Sequence, residues 1–162
     1  MASSPAPGQP APELALEGGV LTGEGFRRSR YVLAGQRGRP VVLAFYPGDD
    51  TSVCTRQLCT YSSGLEQFTG LGAEVWGISP QGLDSHEAFA RKYDLRIPLL
   101  ADTDRSAARA FGVAAPGIGL RRSVFVVAAD GTLHWKHVAV LGATYQPVEK
   151  LTEQLRALAA AG

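Results

Sequence analysis

Cysteine is nearly missing from this chain: 162 residues contain two, Cys54 and Cys59. That excludes a fold stapled by a framework of several disulfides. Histidine is also scarce, with three, so a metal centre has few nitrogen ligands to draw on. No apolar run is long enough to span a bilayer. Charge of one sign is lacking too. The formal net charge is +1, which gives no electrostatic ground for nucleic acid or an acidic membrane as partner. The opening stretch MASSPAPGQPAPEL has neither the basic start nor the apolar centre of a signal peptide, so the expected setting is cytoplasmic. There, a close cysteine pair points to redox chemistry or metal binding rather than to a structural bond.

What is present is the length and apolar content of one globular domain, 162 residues at 45% hydrophobic. Residues 1–12, with four prolines, are expected to form a flexible N-terminal lead, and residues 13–162 a single domain without internal repeat. VVLAFY at 41–46 is a continuous β-rich run, as in a strand buried on both faces. After it, Thr51 and Ser52 offer helix caps. Cys54, Leu58, Tyr61, Leu65 and Phe68 then recur at helical spacing, and Gly70 and Gly72 end the pattern. AEVWGIS reads as a second strand, and LDSHEAFARKY as a helix capped by Asp84. IPLLAD and TDRSAARAFGV read as a short strand and a short helix. SVFVVA and TLHWKHV flank a hairpin turn, and Pro147 opens a last helix with an apolar stripe. The order implies an α/β fold: a mixed central sheet with helices on both faces.

Three readings compete for the cysteine pair. A metal site lacks a second ligand pair, since His134 and His137 fall on opposite faces of a predicted strand. Two inert buried thiols are the plain alternative. Redox chemistry fits the placement better. Cys54 falls in the first turn of a helix at the C-terminal end of a central strand, where open α/β sheets place their sites. Unpaired backbone N–H groups and the helix dipole favour a thiolate there. Cys59 lies five residues on. Along an ideal helix that separates the Cα atoms by about 8.7 Å and turns them by about 140°. A disulfide requires Cα atoms within about 7 Å. A bond between them therefore demands that this turn unwind, and Thr60, Ser62, Ser63 and Gly64 are weak helix formers.

The stretch PGDDTSVC resembles the Pro-x-x-x-Thr-x-x-Cys signature of peroxiredoxins, at Pro47, Thr51 and Cys54. With a second cysteine five residues later, the chain is similar to the peroxiredoxin Q, or bacterioferritin comigratory protein, subfamily. The resemblance runs from APELAL to the last helix, and RRSVFVVAADGTLHW resembles the segment carrying the family's active-site arginine. It places that role on Arg122, with the adjacent Arg121 as runner-up. It implies a thioredoxin-like fold with an N-terminal extension, and reduction of hydrogen peroxide and organic hydroperoxides. Cys54 would be the peroxidatic and Cys59 the resolving cysteine, joined in an intramolecular disulfide. Thioredoxin or a similar dithiol would be the reductant, with no cofactor and no metal, in a monomer or weak homodimer. Thr51 would orient the peroxide and Pro47 shield the sulfur. The chain departs from common family residues at Leu14, Val53, Gln57 and Thr60. A thiol–disulfide oxidoreductase or a redox-sensing switch on the same fold are the alternatives.

Two other features carry less. The run Arg27, Arg28, Arg30, Arg37 and Arg39 reads as a solvated hairpin face. Gly117 and Gly119 lack the spacing and lysine of a phosphate loop and serve as bends before Arg122.

Overall fold

The computed structural model describes residues 4–115, 119–139 and 145–161. Its strands are β1 (Ala15–Thr22), β2 (Gly25–Val32), β3 (Val41–Phe45), β4 (Glu74–Ser79), β5 (Leu99–Ala101), β6 (Ala114–Ala115), β7 (Gly119–Leu120), β8 (Ser123–Val127) and β9 (Leu133–Val138). The helices are α1 (Ser52–Ser63), α2 (Leu65–Thr69), α3 (Leu83–Tyr93), α4 (Ser106–Ala110) and α5 (Val148–Ala161). Seven strands form one sheet in the order β2-β1-β5-β4-β3-β8-β9, while β6 and β7 pair separately. β3 runs parallel to β4 and antiparallel to β8; β4 and β5 are parallel, and the β1–β2 and β8–β9 hairpins are antiparallel. The sheet is mixed, as the element order implies.

The apolar run at 41–45 is the middle of this sheet, and all five residues are buried. Alternation along it serves two cores. Val42, Ala44 and Tyr46 face one that holds Leu58, Phe68, Phe89 and Leu151, from α1, α2, α3 and α5. Val41, Leu43 and Phe45 face the other, with Ala107 and Ala108 of α4. There Phe45, Phe111 and Phe125 stack edgewise or tilted, with centroids 5.0–5.7 Å apart. Burying each such side chain stabilises the fold by about 1.5–3 kcal/mol.

Four expectations differ in detail. The apolar stripe read as one helix is two, because the chain breaks at Gly64. A Cβ there would meet Val148 Cγ2 of α5 at 3.0 Å, so α5 packs closely against the break. The end at Gly70 stands, as the C-cap of α2. The N-cap of α3 is Gly82 rather than Asp84. Asp84 turns outward to Arg28, 2.8 Å away, and Glu87 joins the same guanidinium at 3.1 Å. Thus part of the basic hairpin face is neutralised by α3. The strands β6 and β7 were not expected; two-residue strands carry no periodicity to read. Within the expected flexible lead, Gly8 and Ala11 donate to the carbonyls of Leu133 and Gly131, and Leu133 donates to that of Gln9. This stretch is therefore paired onto the β8–β9 hairpin. Gly117 lies outside the described residues.

Candidate active site

The sheet topology gathers the candidate residues. β3 ends at Phe45, and the chain passes through Pro47 and Thr51 into α1. In the antiparallel β3–β8 ladder Phe45 pairs with Ser123. Arg122, one residue earlier, therefore emerges just beyond the C-terminal end of β3, where α1 begins. Strand register, more than sequence proximity, brings residues 68 positions apart into contact.

Cys54 is the third residue of α1 and fully buried. The first rung of the helix is Thr55 N–H to the Thr51 carbonyl at 2.8 Å. The N–H groups of Ser52, Val53 and Cys54 thus have no intrahelical acceptor. The buried Arg122 guanidinium forks over this turn: Nη2 donates to Cys54 Sγ at 3.1 Å and Nη1 to Gln57 Oε1. Gln57, one turn after Cys54, is fully buried. Its Nε2 lies 3.5 Å from the Tyr61 hydroxyl, which donates to the Gln146 carbonyl at 2.6 Å. Burial pushes the Tyr61 phenol well above its usual range, so it stays a donor. A polar chain therefore runs from the sulfur through Arg122, Gln57 and Tyr61 to the segment before α5.

Thr51 has the extended backbone of an N-cap, but its side chain makes no capping bond. The exposed hydroxyl donates to the Gly48 carbonyl at 3.3 Å, leaving its oxygen lone pairs to accept. Pro47 is half-buried beside it in sequence. Cys59 lies on the same unbroken helix as Cys54; both thiols are free, and Cys59 is half-buried. Partial burial pushes its thiol above the ordinary range. Arg121 is exposed, whereas Arg122 touches the sulfur.

A family model described as the AhpC/TSA family matches residues 7–136. The chain belongs to that family. Its curated relatives include the chloroplastic Peroxiredoxin Q of Gentiana triflora, 38% identical over 77% of this chain and 57% of the relative. Peroxiredoxin Bcp of Bacillus subtilis is 34% identical over 82% of this chain and 86% of its own length. The chain spans 55–64% of the length of the first plant relatives it matches. Among solved structures, Xanthomonas campestris Bacterioferritin Comigratory Protein, studied for its alkyl peroxide reduction activity, superposes with a TM-score of 0.73. It is 27% identical, with 91% of each chain covered. The fold is that of the peroxiredoxins.

Sequence reasoning missed three contributors. Gln57 entered only as a departure from the family pattern, although its position one turn after Cys54 puts it on the same helix face. Tyr61 was read only as part of an apolar stripe. His86 stood only within the helix LDSHEAFARKY, yet it pairs with Asp49 just upstream of the cysteine.

Proposed function

We propose that this protein is a thiol-dependent peroxidase that reduces hydrogen peroxide and organic hydroperoxides. The observation that carries the proposal is the Arg122 guanidinium 3.1 Å from a buried cysteine sulfur in the first turn of a helix. In the reaction, the Cys54 thiolate attacks the terminal peroxide oxygen. The S–O bond forms as the O–O bond breaks, and the alkoxide or hydroxide leaves with a proton taken from solvent. Arg122 and the Cys54 N–H meet the negative charge that develops on the departing oxygen. Thr51 accepts a hydrogen bond from the peroxide, and Pro47, with no N–H of its own, keeps water from the sulfur.

The product is a sulfenic acid. Cys59 condenses with it, releasing water and forming a Cys54–Cys59 disulfide once α1 has unwound between them. Thioredoxin or a similar dithiol then reduces that bond by exchange. Full burial of Cys54 favours this reading over a thiol–disulfide oxidoreductase. A sulfur with no exposed surface lies out of reach of a protein disulfide. The proposal includes a cytoplasmic setting, a single domain, and a monomer or weak homodimer; among the described residues no helix is long and apolar enough to cross a membrane.

The test is direct. One equivalent of peroxide is added to the reduced protein, the cysteines are mapped by mass spectrometry, and turnover is followed with thioredoxin, its reductase and NADPH. A Cys54–Cys59 disulfide that thioredoxin reduces is expected, and Cys54→Ser abolishes peroxide consumption. Full activity in Cys54→Ser overturns the assignment.

A further inference from the structure

A second polar cluster lies behind the loop that carries Pro47 and Thr51. Asp49 turns its carboxylate inward, where the side chain is 4% exposed. Oδ1 accepts from the Tyr46 hydroxyl at 2.6 Å, and Oδ2 accepts from the Ser85 hydroxyl at 2.7 Å. The same Oδ2 lies 2.7 Å from Nδ1 of the fully buried His86, whose Nε2 lies 2.9 Å from the Leu100 carbonyl. A carbonyl oxygen only accepts, so Nε2 carries a proton. A second proton must occupy the line between Nδ1 and Oδ2, because neither atom can bond the other without one. Burial and the Asp49 carboxylate hold the Tyr46 phenol far above its usual range, so it remains a donor to the cluster.

The backbone of the loop is tied as well. The Asp49 N–H donates to Gln81 Oε1 at 2.9 Å. Asp50 sits in the left-handed region at φ 57°, held by Lys92 Nζ at 2.8 Å and the Tyr93 hydroxyl at 2.6 Å. Apart from Asp49 and Asp50, these contacts come from the ends of β3 and β5, the turn after β4, and α3. The loop is therefore clamped to α3 and the sheet by contacts that do not involve α1.

We propose that Asp49 and His86 are positioning residues. Their shared-proton pair locks the 47–51 loop onto α3, so that Pro47 and Thr51 stay in place at the entry to α1 while that helix unwinds and rewinds downstream. The inference rests on the peroxidase reading. A hydrophobic filling would pack the same space without fixing a direction; a carboxylate held by three donors fixes both position and rotation. The pair acts on the step that needs the peroxide oriented, and leaves the step in which Cys59 meets the sulfenic acid untouched.

Stopped-flow tryptophan fluorescence on the full chain separates the two steps: oxidation is second order overall and first order in peroxide, and disulfide formation is first order and independent of peroxide. Asp49→Ala lowers the oxidation rate constant about ten- to hundredfold, the scale of an ångström's misplacement, with disulfide formation within about twofold of wild type. Asp49→Asn recovers most of the loss. Its amide donates to Nδ1 of neutral His86, and its carbonyl still accepts from Tyr46. Should Asp49→Ala not fold, Ser85→Ala carries the test by removing one of three donors, with several-fold slower oxidation expected. Equal losses in both steps, or oxidation unchanged in both Asp49→Ala and Ser85→Ala, overturn the positioning role alone. Wild-type Cys54 that peroxide does not oxidise overturns the peroxidase reading and this inference with it.

Discussion

Replacing Arg122 by methionine tests the proposed chemistry at its centre. Arg122 is 4% exposed, and its guanidinium donates to Cys54 Sγ at 3.1 Å and holds Gln57 Oε1 with its other arm. A hydrogen bond to a charged group is worth about 1.5–3 kcal/mol. Removing one donor aimed at charge that develops in a transition state costs about 10²–10³ in rate. Because in the proposed reaction the same side chain faces the nucleophile and the leaving oxygen, Arg122→Met is expected to lower the second-order rate of Cys54 oxidation by about 10²–10³, equivalent to about 3–4 kcal/mol. The variant also strands the buried Gln57 oxygen, at a stability cost of about 1–3 kcal/mol. For a chain of this size each kcal/mol lowers Tm by about 2–4 °C, so rates are compared well below the transition. Arg122→Lys restores the charge but not the fork, and recovers only part of the loss. Arg121→Ala, at an exposed position, leaves the rate within about twofold. Rates come from stopped-flow fluorescence under excess peroxide. Arg122→Met within threefold of wild type, or an equal loss in Arg121→Ala, refutes the reasoning.

Three further outcomes are expected. Cys59→Ser should accumulate Cys54 sulfenic acid, trapped by dimedone, and lose at least about tenfold in thioredoxin-supported turnover; unchanged turnover removes Cys59 as resolver. Burial raises the Cys59 thiol's pKa in the intact helix, so the local stability this confers is complete below the ordinary cysteine value near ~8.5 and is lost as pH rises through the raised one. The peroxide-independent phase should then accelerate from about pH 8.5 upward, and a flat profile there rejects the link. Gly64→Val places branched carbon against Val148, whose Cγ2 is 3.0 Å from the Cβ position, and should destabilise by about 1–3 kcal/mol in urea unfolding; an unchanged midpoint contradicts the packing argument.

The parts of the fold that were legible in the sequence are those with local signals. VVLAFY announces a doubly buried strand by its unbroken apolar run, and the helix after it shows its period from Cys54 to Tyr61. Parts decided by distant packing were not legible. Nothing near Gly64 says that α5 will lie against it. Gln57 has the right spacing from Cys54, but its value depends on an arginine 65 positions away. Asp49 and His86 are 37 apart and meet only because α3 packs beside the end of β3. The adjacent arginines show the same limit. Only the Phe45–Ser123 register explains why Arg122 enters the site and Arg121 faces solvent.

The proposed cycle requires α1 to be intact for oxidation and open for disulfide formation, and the site contains a means of ordering the two. Leu58 and Tyr61 bury the helix, while Arg122 ties its first turn through the sulfur and through Gln57. Against these ties stand Thr60, Ser62 and Ser63, with the Thr60 hydroxyl already turned back to the Arg56 carbonyl at 2.7 Å. In the proposed cycle, oxidation replaces the attacking thiolate by a neutral sulfenic acid, so the Arg122–sulfur bond loses its charge-assisted partner. On typical values, about 1.5–3 kcal/mol for hydrogen bonds to charged groups against about 0.5–1.5 kcal/mol for neutral ones, the tie weakens by about 1–1.5 kcal/mol. That shifts the opening of the helix by about tenfold, in the direction the cycle needs. Before oxidation, opening would withdraw the sulfur from the donors that activate the peroxide. After it, opening is what lets Cys59 close a distance of about 8.7 Å that the intact helix forbids.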